Sequence, residues 1–81
     1  MAEIIQGRLG YNSRNNRYGL LVSDLWVHDG FHCGECLEVL VNGKWIESRI
    51  EKTWKIDGGE WYLVGTPFKG NLEFVHAKIR R

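Results

Sequence analysis

Asn42-Gly43 restricts the fold of this 81-residue chain more than any other feature. A two-residue type I′ turn needs left-handed backbone at both central positions, and Asn-Gly meets that need at the lowest steric cost. Alternating runs flank the pair, Cys36 to Val41 and Lys44 to Trp54, so it predicts an antiparallel hairpin. The loop length sets the register: Val41 opposite Lys44, Val39 opposite Ile46, and Leu37 opposite Ser48. On the other face Leu40 meets Trp45, Glu38 meets Glu47, and Cys36 meets Arg49. A slip of one residue would exchange the two faces completely. The first face continues to Ile50 and Trp54, is the more apolar, and is predicted to face the core. The second sets Glu38 against Glu47, a mild penalty that solvent or a bridging Arg49 would relieve.

The rest of the chain repeats short apolar alternation broken by Gly and Asn, with no long helical stripe. Ala2 to Leu9 reads as a first strand, Asn12 to Asn16 as a turn and Arg17 to Val22 as a second strand. Two readings stay open between Ser23 and Gly34: Ser23-Asp24 capping one helical turn, or Leu25 to His28 extended. Ile56-Asp57-Gly58-Gly59-Glu60 predicts the next turn, and Trp61 to Gly65 the strand after it. Either Asp57-Gly58 or Gly58-Gly59 sets that register, and both place Trp61 and Leu63 inward with Tyr62 and Val64 outward. Lys52 fits poorly on the core face and predicts a bulge or an open barrel mouth. Thr66 to Asn71 is a loop and Leu72 to Ile79 the last strand. About six short strands joined by tight turns predict an all-β fold. The expected form is a small antiparallel meander curled into an SH3-like barrel, with an open β-sandwich as the alternative.

One domain over residues 1–81 suits this length, which lies near the lower limit for a core without covalent staples. Four Trp, three Tyr and three Phe supply the buried area. A net charge of +1 exerts no global pull on nucleic acid or membrane. Arg8, Arg14 and Arg17 near the start and Lys78, Arg80 and Arg81 at the end are nevertheless segregated from the acidic Asp24 to Glu38 stretch. No apolar run approaches the roughly 18–20 residues of a membrane span. Met1-Ala2-Glu3-Ile4 lacks the pattern of a secretion signal. A cytoplasmic location is expected, with the two cysteines reduced.

The stretch from Trp26 to Cys36 holds both cysteines and two of the three histidines, and it invites a metal reading. The ligand set would be Cys33, Cys36, His32 (or His28) and His76. Zinc sites usually draw two ligand pairs from separate segments, and here one CxxC stands alone. In a straight strand Cys33 and Cys36 face opposite sides, so a bend at Gly34 decides whether they converge. The expectation is a strand entrance without metal. Redox chemistry lacks the helix N-terminus that activates a CxxC. No arrangement separates a nucleophile, a base and an orienting group, so the chain is read as non-enzymatic with no cofactor.

Binding has firmer support. The register places Leu40, Trp45, Arg49, Tyr62 and Val64 on one outward face, and aromatics with Arg are enriched at interface hot spots. The competing reading is that the first or last strand covers this face and makes it a second core. A protein partner is the preferred expectation. Nucleic acid is the alternative, along an edge of Arg8, Arg14, Arg17 and Tyr18 with stacking capacity.

Three blocks carry a family resemblance: Gly19-Leu20-Leu21-Val22-Ser23, the run from His32 to Trp45, and Glu60-Trp61-Tyr62-Leu63-Val64-Gly65. From Gly7 to Ile79 the chain resembles a family of small bacterial domains of unknown function. That family is found mainly in Gram-positive bacteria and often encoded near mobile elements. The resemblance implies a compact cytoplasmic β domain and lends no activity or catalytic residue.

Overall fold

A computed structural model describes residues 3–54 and 59–80. Among them there is no helix. The chain forms β1 (Ile4–Asn12), β2 (Arg17–Val22), β3 (Leu25–His28), β4 (Cys36–Val41), β5 (Lys44–Lys52), β6 (Trp61–Leu63) and β7 (His76–Arg80). Every pairing is antiparallel, and the strand order is β3-β2-β1-β7-β4-β5-β6. The sheet curls around one core as a half-barrel, in keeping with the small-barrel class expected. Among the described residues there is also no helix long and apolar enough to cross a membrane.

The strand path differs from a simple meander. Two three-stranded meanders, β1-β2-β3 and β4-β5-β6, are joined by β7, which lies between β1 and β4. Adjacent hairpins are local in sequence and legible there. The insertion of β7 is a long-range pairing that no turn residue signals. The strand beyond the six expected is β3, Leu25–His28, and it settles the open choice in favour of an extended segment. Ser23 and Asp24 both take positive φ and form a tight turn, with Val22 opposite Leu25. The N-terminal strand runs on to Asn12, and the Asn12 side chain accepts the Arg14 amide to begin the turn. Strands β5 and β6 stop at Lys52 and Leu63, short of the expected Trp54 and Gly65.

The Asn42-Gly43 hairpin has the predicted register at all six pairs, from Val41–Lys44 to Cys36–Arg49. Its inward face joins Leu9, Leu20, Phe31, Leu37, Val39, Ile50, Leu63, Leu72 and Ala77 in the core. Trp61 and Leu63 fall on the core side, opposite Lys52 and Ile50. Residues 56–58 of the turn expected from Ile56 to Glu60 lie outside the described residues. One core-face expectation is corrected, and the choice left open at Lys52 falls to the open mouth. Trp54 is 90% exposed, because β5 ends before it. Lys52 needs no bulge: it is half-buried with its ammonium 5.3 Å from the Trp61 ring centroid, a cation–π contact that suits a charge at the rim.

Two strands are entered by the same device. Before β4, His32 to Glu35 form a turn closed by the Glu35 amide on the His32 carbonyl (3.0 Å). Gly34 and Glu35 then oppose the single residue Ile50, with Gly34 N–H donating to Ile50 (2.7 Å) and Ile50 N–H to Glu35 (3.1 Å). Before β7, Leu72 to Val75 repeat the pattern. Phe74 N–H donates to Leu9 (3.0 Å) and Leu9 N–H to Val75 (2.8 Å). These are glycine-type bulges, whose first residue takes left-handed backbone. Gly34 has φ +87° and Phe74 φ +67°. Leu72 to Val75, expected as strand, is therefore turn and bulge.

Candidate functional site

Alternation along β4, β5, β6 and β7 delivers a set of side chains to the outer face of the curled sheet. Leu40 lies opposite Trp45, Glu38 opposite Glu47, Cys36 opposite Arg49, and Tyr62 opposite Glu51. Val64 lies just past β6, where its amide donates to the Arg49 carbonyl (3.0 Å) and its carbonyl accepts from Ser48 Oγ (2.8 Å). All five residues expected on this face therefore share it: Arg49 is exposed, and Leu40, Trp45, Tyr62 and Val64 are half-buried. The first and last strands belong to the same sheet, so neither lies across this face.

Strand β7 brings in residues that the hairpin register alone does not. Lys78 lies opposite Glu38, with its ammonium 3.9 Å from that carboxylate and 4.2 Å from the Trp45 ring centroid. Arg80 Nη2 is 3.7 Å from the other Glu38 oxygen. The Glu38–Glu47 repulsion is thus relieved by β7, whereas Arg49, the expected bridge, sits 3.8 Å from Glu51. These separations are long for hydrogen bonds, so a partner could replace the ion pairs at little cost. Cys36, Glu38, Glu47, Arg49, Val64 and Lys78 line an open groove of about 520 Å³. Two acids of the groove (Glu38, Glu47) face three bases (Arg49, Lys78, Arg80), and Glu51 pairs with Arg49 from outside the lining, so the face is mixed in charge.

The edge suggested for nucleic acid is dispersed. Arg8 is paired to Asp24 at 2.6 Å and lies over the Phe74 ring at 5.2 Å. Arg17 contacts His32 Nδ1 (2.9 Å) and donates to the Phe31 carbonyl (3.4 Å). Arg14 is exposed and lines a separate open cleft of about 950 Å³ with Tyr11, Trp26 and Asp29. Tyr18 is corrected outright: it is 6% exposed, its hydroxyl donating to Gly70 (3.3 Å) and accepting from the Leu72 amide (3.2 Å). A buried ring cannot stack on a base. The exposed aromatics nearby are Tyr11, Trp26 and Phe74. Trp26 crosses Gly19, where a Cβ would lie 2.9 Å from its ring.

The stretch from Trp26 leads into β4 at Cys36, as expected of a strand entrance, and the chain bends at Gly34, yet the metal set does not assemble around that bend. Cys33 and Cys36 are both exposed thiols, and His76 lies on β7 opposite Arg8. Among the described residues, no three His, Cys, Asp or Glu side chains are placed to hold a metal. The stretch instead builds a clamp. Gly30 N–H donates to His28 Nδ1 (3.3 Å), which leaves Nε2 to donate to Glu35 at 2.6 Å. The other Glu35 oxygen accepts the His32 amide (3.0 Å), and His28 lies 4.2 Å from the ring of the fully buried Phe31. The clamp was missed in sequence because its partners meet only through the turn at Gly34.

Comparison with known proteins places these features in a family. The model for the domain of unknown function DUF5348 matches residues 7–79. The chain is similar to a protein from Ruminococcus gnavus of known crystal structure, with 32% identity and a TM-score of 0.73. The similarity covers 93% of this chain and 100% of that one. No curated protein matches the chain in sequence.

Proposed function

The chain belongs to the DUF5348 family of domains of unknown function, and we propose that it is a non-enzymatic module that binds another protein through the outer face of β7-β4-β5-β6. The observation that carries this reading is the groove lined by Val64 and flanked by Trp45 through Lys78, with Arg49, Lys78 and Arg80 balanced by Glu38 and Glu47 in the lining and by Glu51 beside it. Interfaces of this kind rely on a few aromatic and Arg anchors set among mixed polar groups. A face whose bases are matched by Glu38, Glu47 and Glu51 favours a protein segment over a polyanion, because phosphate recognition requires a net excess of Lys and Arg. The proposed setting is cytoplasmic and bacterial, with the mobile-element association that the family resemblance implies.

The test compares partners captured from the native host by the wild-type chain and by Trp45→Ala, with near-UV circular dichroism confirming that the variant is folded. Loss of a partner in the variant supports the reading. The same partners on a folded variant would count against this face.

One observation favours nucleic acid as a second reading. Successive outward residues of β7 are His76, Lys78 and Arg80, with Arg8 opposite His76. Binding to a single-stranded oligonucleotide that weakens steeply with added salt would support it. No binding at low ionic strength would remove it.

A further inference from the structure

The strand order leaves two edges, β3 and β6, at opposite ends of the sheet. A sheet edge is a row of backbone donors and acceptors that invites another strand, and proteins cover or blunt such edges. The β6 edge is covered: Leu63 N–H donates to the Phe68 carbonyl (3.1 Å), and Gly70 N–H donates to the Trp61 carbonyl (2.7 Å). The β3 edge differs. Its residues, Leu25–His28, include neither a lysine nor a proline, and Leu25 is 71% exposed.

Turn geometry says which backbone groups are open. Ser23 and Asp24 both have positive φ, as in a type I′ turn, so Val22 and Leu25 exchange the hydrogen bonds that close the hairpin. Pairs alternate along an antiparallel ladder, and Leu21–Trp26 is therefore a non-hydrogen-bonded pair. The N–H and C=O of Trp26 point away from β2, and no other segment among the described residues bonds to them. The indole folds back over the sheet, where a Cβ on Gly19 would lie 2.9 Å from it and one on Gly10 3.5 Å. The ring leaves the backbone edge uncovered.

We propose that β3 pairs antiparallel with β3 of a second copy of this chain, about a two-fold axis at Trp26. In that register Trp26 exchanges two backbone hydrogen bonds with its own counterpart, and Leu25 of each copy lies beside Val27 of the other. Self-complementarity argues for this occupant, because a two-fold contact needs one patch that fits itself. Asp24 falls opposite His28, so no like charges meet, and a net charge of +1 keeps the copies from repelling. A shift by one residue would set Asp24 against Asp29 and lose the Trp26 bonds, so the register is specified. The β2–β3 register shifts beyond Trp26, which keeps the straight edge short and the dimer weak and reversible. This edge belongs to none of the strands that carry the Trp45 groove.

The experiment is analytical ultracentrifugation of the full chain over a concentration series up to millimolar, for wild type, Trp26→Pro, Leu25→Lys and Trp45→Ala. Trp26→Pro removes a donor that β2 does not use, and proline is tolerated at such an edge position. Wild type should show a monomer–dimer equilibrium, with a Kd that rises roughly tenfold or more in Trp26→Pro, the scale of two lost hydrogen bonds. It should also rise in Leu25→Lys, which sets a charge on the edge, and stay unchanged in Trp45→Ala. Near-UV circular dichroism checks that the variants fold, and Leu25→Lys decides the matter if Trp26→Pro does not. Hydrogen exchange at the Trp26 amide should slow as the wild-type concentration rises. A monomer at every concentration would overturn the proposal, and so would a dimer indifferent to both edge variants. Equal weakening in Trp45→Ala would assign the contact to the groove and remove it from β3.

Discussion

The turns at His32–Glu35 and Leu72–Val75 solve one backbone problem with different chemistry. Each adds an extra residue against a neighbouring strand, Ile50 in one case and Leu9 in the other. The first turn follows the fully buried Phe31 and is clamped by Glu35 on His28 and on the His32 amide, with glycine at the strained position. The second begins at the fully buried Leu72, whose amide donates to the Tyr18 hydroxyl. It has the Glu73 amide on Asn71 Oδ1 and the Arg8–Asp24 pair beside it, and places an exposed phenylalanine at the strained position. Both turns are thus tied down by hydrogen bonds, and they differ in the residue that carries the left-handed backbone, a glycine in one and an exposed phenylalanine in the other.

Four measurements would break or sharpen that contrast. The largest effects should come from the anchors that both turns share in kind. Phe31→Ala should cost about 3–5 kcal/mol and Leu72→Ala about 2–5 kcal/mol in denaturant unfolding, since each empties a fully buried site. If Phe31→Ala were nearly neutral, the first turn would not be held by its core residue. Next, Glu35→Ala should cost about 1–2 kcal/mol. It removes charge-assisted bonds from a carboxylate that is only 34% exposed. Removing the carboxylate should also speed hydrogen exchange at the His32 amide, and unchanged exchange would dissolve the clamp.

Backbone strain supplies the third test, with opposite signs at the two positions. Gly34→Ala should lose about 1–2 kcal/mol with no steric clash, because only conformation is penalised. At the other turn, Phe74→Gly should be more stable than Phe74→Ala by roughly 1 kcal/mol, the reverse of the usual preference for alanine. Equal stabilities there would show that the second bulge is unstrained. The smallest effect should be Asp24→Ala, below about 1 kcal/mol, since its carboxylate is 85% exposed and screened by solvent. A larger loss would mean that the pair is structural and does more than orient Arg8.

How much of this was legible beforehand follows the range of the interaction. Asn42-Gly43 specified six cross-strand pairs correctly, because a two-residue turn leaves one register and alternation does the rest. The five outward residues of the candidate surface followed from the same rule. Lys78 and Arg80 joined them only through the placement of β7, so the relief of Glu38 was assigned to the wrong cation. Tyr18 looked like a stacking residue among arginines, yet its ring is buried and its hydroxyl ties β2 to Gly70 and Leu72, over fifty residues away. Phe74 was hidden for a simpler reason: a phenylalanine followed by Val75 reads as strand, and only a backbone angle reveals the bulge.

The sequence by itself determined an all-β chain, the central hairpin, its register, and which side of it faces outward. Turn residues and period-two alternation are local signals, and they act within about ten residues of one another. The tertiary structure alone decided that β7 divides the two meanders, that β7 brings cations onto the outer face, and that one of two matching turns exposes a strained ring. Those outcomes depend on which distant strand edges meet while one small core closes, and no short window of residues encodes that choice.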